Sequence, residues 1–178
     1  MRIKLIIATV IVFAITCAVS GIWLFVRYGA DARAVWYRIN TIGPLKVDHV
    51  ADGDTISIIP RFGRKLSVRL LGINTKEIEH KGRNIKEECW GPEAARYVTK
   101  LAEDMIASLE FDSLKPVTED HDRLIGYIYL YPGYWSYWLG MNRVDLNLHL
   151  IETGYAEEWL YDGTYTRADE FLQAERDA

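Results

Sequence analysis

Cysteine is nearly absent. The 178 residues hold two, Cys17 in an apolar segment and Cys89 alone in the rest, so no intrachain disulfide framework is available. Cys89 reads as a semi-buried small residue rather than a reactive thiol. Low-complexity tracts and internal repeats are also missing, which excludes solenoids and disordered arrays. Positive charge is scarce where a polyanion binder would need it. Residues 1–42 contain Arg2, Lys4, Arg27, Arg33 and Arg38 against Asp31, leaving 16 basic and 24 acidic residues for 43–178, a net of −8. An acidic domain has no basic field for non-specific nucleic-acid binding. If it handles nucleic acid, it does so with a few placed arginines.

What is present begins with Leu5 to Val26, a 22-residue run without a charge. As a helix it would span roughly 33 Å, enough for a bilayer core. Trp23 and Tyr28 sit at one end, as interface aromatics do. Ala18-Val19-Ser20 has the form of a signal-peptidase site, but an apolar Gly-Ile-Trp-Leu-Phe-Val follows it and favours an uncleaved anchor. The expected organisation is therefore a transmembrane signal anchor or signal peptide over 1–28 and a linker over 29–42. A globular domain over 43–178 completes it. The domain is expected to be exported and membrane-anchored, or secreted if the segment is cleaved.

Within the domain, residues 45–50, 55–60 and 65–73 read as three antiparallel strands, with a basic turn at Arg61-Phe62-Gly63-Arg64. Residues 74–89 are polar, lack an apolar period and read as a loop. Gly91-Pro92-Glu93 opens a helix, with Ala94, Ala95, Val98, Leu101, Ala102, Met105 and Ile106 at helical spacing. Residues 109–114 and 123–131 read as the fourth and fifth strands. The aromatic stretch 134–138 reads as a loop or hairpin extension, exposed as an interaction patch or buried as a satellite cluster. A second helix spans 145–153 with Gly154 as its C-terminal cap. Residues 156–161 are extended, and a third helix starts at Arg167. The fold class expected is α+β, a five-stranded OB-type β-barrel with three packed helices, preceded by the N-terminal helix.

Polar residues gather at the strand ends: Asp52, Asp54 and Thr55 at one edge, Asn74, Thr75 and Glu77 at the other, with Arg69 inside the third strand. Four motifs follow one another: Asp-Gly-Asp-Thr at 52–55, Arg69-Leu-Leu-Gly-Ile-Asn-Thr-Lys-Glu77, Trp-Gly-Pro-Glu-Ala at 90–94, and Asp120-His-Asp-Arg123-Leu-Ile-Gly-Tyr-Ile-Tyr129. Together they closely resemble the thermonuclease family, the staphylococcal-nuclease-like domains, over roughly residues 45–176. The resemblance implies hydrolysis of DNA and RNA phosphodiesters with Ca²⁺, leaving 3′-phosphate ends. It aligns Arg69 and Arg123 with the two phosphate-binding catalytic arginines and Glu77 with the catalytic acidic residue. Asp54 and Asn74 fall where the family places its metal-binding aspartates, and Thr75 where a backbone carbonyl completes that site.

Residue chemistry agrees with the resemblance. Ca²⁺ takes carboxylate, amide and backbone oxygens, and Asp54, Asn74 and Thr75 offer one of each. Guanidinium forks match phosphate oxygens in pairs, which lysine does not do. A carboxylate such as Glu77 can activate water, a step typically worth about 10²–10⁴ in rate. Three positions depart from the family's pattern. Asn74 replaces an aspartate and removes a formal charge. Lys76 replaces a proline beside Glu77. Asp122 stands where glycine often precedes the arginine and is placed to compete for Arg123. The chain also stops before the family's usual last helical turn and its apolar closing residues. The expected protein is a monomeric nuclease acting on DNA and/or RNA. The alternatives are a catalytically weak module that binds nucleic acid or a protein, and an interaction protein using the aromatic stretch.

Overall fold

A computed structural model describes residues 40–76, 90–119, 122–160 and 163–178. The apolar segment 5–26, Glu77, His80, Cys89, most of the expected 74–89 loop, Asp120 and His121 lie outside the described residues. Among the described residues no helix is long and apolar enough to cross a membrane.

The strands are β1 (Thr41–Val50), β2 (Thr55–Pro60), β3 (Leu66–Leu70), β4 (Ile73–Asn74), β5 (Ile106–Glu110), β6 (Leu124–Tyr131), β7 (Val144–Asp145) and β8 (Glu157–Glu158). The helices are α1 (Gly91–Ala102), α2 (Tyr134–Leu139), α3 (Leu146–Glu152) and α4 (Ala168–Asp177). β1, β2 and β3 form the expected antiparallel meander. β1 also pairs with β5, and β5 with β6, both antiparallel. β6 then pairs in parallel with β3, so the pairings run in a ring through five strands. β4 and β8 form a separate two-stranded sheet. The ring is lined by Val47, Ile56, Ile58, Val68, Leu109, Ile128 and Leu130, all fully buried. Burial of β-branched and leucine side chains at about 25 cal/mol per Å² is the main favourable term for such a core.

Several boundaries differ from expectation, each for a local reason. Residues 41–42, expected as linker, open β1 by pairing with Leu109 and Glu110 of β5. The third strand is broken after Leu70, because Gly72 turns the chain at φ +79° and directs Ile73 and Asn74 to β8. A side chain at Gly72 would meet the ring of Tyr165 at 2.6 Å, so backbone conformation and close approach both require glycine. The fourth strand starts at Ile106, not 109, and ends at Glu110. Met105 and Ile106 continue the apolar spacing of α1, but Asp104 at φ +64° ends that helix. Four helices are present among the described residues rather than three, because the aromatic stretch 134–139 is helical between Gly133 and Gly140.

α3 is placed by its own sequence. The Asp145 carboxylate accepts from the Leu148 amide as an N-cap, and Gly154 at φ +71° closes the other end. The amide of Asn147, fully buried, donates to the Leu71 and Gly126 carbonyls at 2.8 and 3.2 Å and accepts from the Ile128 amide at 3.0 Å. One side chain thus ties α3 to the break after β3 and to the middle of β6.

Candidate functional site

Asp54 is the buried centre of the polar cluster, with 5% of its surface exposed. Its Oδ2 accepts from the Thr75 amide at 3.1 Å and the Thr75 hydroxyl at 3.3 Å. Its Oδ1 accepts from the Thr55 hydroxyl at 3.2 Å. Burial pushes the Asp54 carboxyl up to about 6; the Arg69 guanidinium pulls it down and the neighbouring Asp52 pushes it up. The glycine of the Asp-Gly-Asp sequence has a packing cause. A Cβ at Gly53 would lie 2.5–2.8 Å from the Thr75 side chain, so only glycine lets Thr75 close on Asp54.

Arg69 is brought to this cluster by strand register. It stands opposite Thr55 across β2 and β3. Its Nη1 lies 2.6 Å from Asp54 Oδ2, and its Nη2 donates to Asn74 Oδ1 at 3.3 Å. Backbone bonding holds the same region, since the Leu70 amide donates to the Asp54 carbonyl at 2.8 Å. Asn74, in β4, is fixed opposite Glu157 of β8.

Arg123 arrives from the far half of the chain, one residue before β6. The parallel pairing sets Arg69 opposite Ile125, which carries Arg123 to the same edge. Its Nη1 donates to the Thr55 hydroxyl at 3.4 Å. Two guanidinium groups therefore attach to adjacent residues, Asp54 and Thr55. The Arg123 Nε pairs with Glu119, in a turn where the Asp122 amide donates to the Glu119 carbonyl. Glu119 is a participant that the residue types alone did not reveal. Its signal was the four-residue spacing, obscured by the nearer Asp120 and Asp122. Asp122 takes φ +55°, the conformation in which glycine is favoured, which accounts for glycine's fitness at this turn.

Five of the six expected site residues therefore meet: Asp54, Arg69, Asn74, Thr75 and Arg123. Glu77 lies outside the described residues. Thr75 contributes its amide and hydroxyl to Asp54, contacts distinct from the carbonyl role expected of it.

The oxygen donors suit a hard cation. Asp54 Oδ2 and Asn74 Oδ1 already converge on a single cationic group, the Arg69 guanidinium, so they lie within reach of one positive centre. Among the described residues no group of three or more His, Cys, Asp or Glu side chains is placed to hold a metal. Of the three donor residues expected for a metal, Asp54 alone is a carboxylate, and Asn74 offers an amide oxygen.

A cleft of about 400 Å³ adjoins Asn74, bounded by Lys76, Trp90, Ala94 and the 153–157 turn. Elsewhere, α2 presents Trp135, Trp138 and Leu139 at 82%, 65% and 67% exposure. This settles the aromatic stretch as exposed and apolar. Tyr137 of the same helix packs edge-to-face on Tyr131, 5.2 Å between centroids.

The sequence family described as Staphylococcal nuclease homologue matches residues 67–178, from β3 to the last residue. Asp54 and the first two strands precede the matched stretch. No curated protein matches the chain.

Proposed function

The chain belongs to the staphylococcal nuclease homologue family, and on that premise we propose that it is a Ca²⁺-dependent nuclease hydrolysing phosphodiester bonds of DNA and/or RNA. Membership places it among nucleases and nucleic-acid-binding modules. The observation that carries the finer reading is the attachment of Arg69 and Arg123 to the adjacent residues Asp54 and Thr55. Two guanidinium forks at one edge of the strand ring suit a phosphodiester and the charge that grows on it. We read that ring as the OB-type barrel of the family.

In this reading the scissile phosphate takes the guanidinium hydrogen bonds now given to Asp54, Asn74 and Thr55. Glu77 accepts a proton from water, whose oxygen forms a bond to phosphorus. The bond from phosphorus to the 5′-oxygen breaks, that oxygen takes a proton from solvent to leave as a 5′-hydroxyl, and a 3′-phosphate remains. Arg69 and Arg123 bind the pentacoordinate species more strongly than the ground state, which is the condition for acceleration. Asp54, Asn74 and the Thr75 carbonyl would hold Ca²⁺, which when bound supplies positive charge at the phosphate.

The test is plasmid DNA and RNA with the full chain, in Ca²⁺ or in EGTA. Calcium-dependent nicking that is lost in Glu77→Ala, Arg69→Lys and Arg123→Lys is expected. Cleavage insensitive to EGTA, or undiminished in Glu77→Ala, would sink the reading.

A second reading, a catalytically weak module that binds single-stranded nucleic acid, is favoured by Asn74 and by the Lys76–Glu157 ion pair of 2.9 Å beside it. Calcium-free binding that weakens with salt, without cleavage, would select it. For location we propose a monomer tethered through residues 5–26 with its domain exported. The exposed tryptophans of α2 suit a lipid–water interface. Protease added to sealed right-side-out vesicles is expected to cleave the domain; cleavage only after the vesicles are lysed would reverse the topology.

A further inference from the structure

The cleft beside Asn74 is not used by the chemistry above, yet it begins at one of the same residues. Asn74 accepts from Arg69 and also lines the cleft. Its volume, about 400 Å³, lies in the range of small-molecule sites. Strand register fixes one wall, because Asn74 and Glu157 are direct partners across β4 and β8. Another wall is firm for a different reason. Tyr155 stacks on Tyr97 with centroids 4.0 Å apart and planes 14° apart, and the Tyr97 hydroxyl bonds His149 at 2.8 Å.

Trp90 lines the cleft and keeps 65% of its surface exposed. It precedes α1 in a left-handed conformation, φ +75°, which costs a bulky side chain energy that glycine or asparagine would not lose. It makes no side-chain capping bond that would explain its presence there. An exposed indole lining a cleft offers a stacking surface.

The charges decide what kind of ligand fits. Lys76 and Glu157 line the cleft and pair at 2.9 Å, so the two formal charges cancel. A phosphate would meet the Glu157 carboxylate. A neutral heteroaromatic ring would find an aromatic face, the apolar Ala94, and the paired, mutually neutralised Lys76 and Glu157 along its polar edge. This is the chemistry of a nucleobase.

We infer that the cleft takes the base of a nucleotide flanking the scissile phosphate, with Trp90 as its stacking partner. This rests on the proposed phosphodiester site and extends it by one nucleotide along the strand. Stacking accepts every base, so the subsite adds affinity without sequence preference.

The experiment uses the full chain in detergent with Ca²⁺ and a short single-stranded oligonucleotide. One linkage is cleavable and the others are methylphosphonates. Two further versions lack the base on the 5′ or the 3′ side of the cleavable linkage. For the wild type, removing the base on one of the two sides is expected to raise KM about tenfold, the scale of one lost base–aromatic stack. Trp90→Ala raises KM of the intact oligonucleotide by a similar factor, and the abasic version on that side then loses nothing more. Trp90→Phe restores the wild-type pattern, which separates stacking from misfolding. Additive effects of Trp90→Ala and base removal on both sides, or no effect of Trp90→Ala, would overturn the inference while leaving the nuclease reading intact. Failure of the wild type to cleave any version would remove both.

Discussion

Glu119 holds the Nε of Arg123 through an ion pair spanning one turn, while the Nη1 of the same guanidinium donates to Thr55. A carboxylate therefore sits where it both aims Arg123 and competes with phosphate for it. Glu119→Gln keeps an acceptor and removes the charge. KM for an oligonucleotide should fall about threefold, the scale of a partly exposed ion pair. kcat should change less. Steady-state kinetics at low salt, with inorganic phosphate as competitive inhibitor, check it; a rise in KM would mean that aiming outweighs competition.

Arg69 separates charge from geometry. Arg69→Lys retains a cation beside Asp54 but loses the fork that reaches Asn74 as well. Activity should fall by about 10²–10³, the loss typical of removing one preorganised donor, while the urea midpoint moves little. Arg69→Ala leaves Asp54 buried without its cation and should cost on the order of 3 kcal/mol of stability. Equal instability of the two variants would contradict this division.

Asn74→Asp turns the amide oxygen of the Asp54, Asn74 and Thr75 donor set into a carboxylate. Calcium affinity, followed by titration calorimetry, should rise by about tenfold or more, because ligand charge count tunes hard-cation sites. Unchanged affinity would move the metal away from Asn74.

Asp112 offers a readout of pH. Burial pushes its carboxyl up, but hydrogen bonds from the Thr166 hydroxyl, Tyr127 and the Leu114 and Thr166 amides outweigh this and hold it below the usual carboxylate value. A folded value below the unfolded one means that the stabilisation is present above the ordinary carboxylate value, about 4. It disappears as pH falls through the folded value. Asp112→Asn should thus be less stable than the wild type near neutrality by on the order of 2 kcal/mol. The gap in urea midpoint should close in acid. A gap independent of pH would show that the carboxylate charge contributes nothing.

The parts of this fold that were legible in the sequence carry local signals. Gly154 ends α3, Pro92 lies in the first turn of α1, and the alternation in 55–60 makes a strand. The parts that were not legible depend on distant partners. Nothing within 65–73 shows that the strand must break for Gly72 to pass Tyr165. The helical spacing through Ile106 continues past the point where β1 claims that residue as a strand partner. Aromatic-rich 134–139 is a weak helix former in isolation. Motif order named five residues that the fold brings together, whereas Glu119 was one of three acidic residues in the four positions before Arg123. The cleft was hidden altogether, because Asn74, Trp90 and Glu157 meet only in three dimensions.

The parallel seam between β3 and β6 has a consequence for the life of the chain before it is folded. It joins Val68 to Leu124 and Leu70 to Gly126, segments far apart in sequence. Such contacts carry the larger loop-closure cost and tend to form late. Arg69 and Arg123 lie at that seam, so they are companions only once the ring has closed. A nascent or partly unfolded chain carries both arginines and no pair. Under the nuclease function proposed above, the chain would endanger a cell's own nucleic acids only after folding is complete, because the paired guanidinium groups do not exist before it.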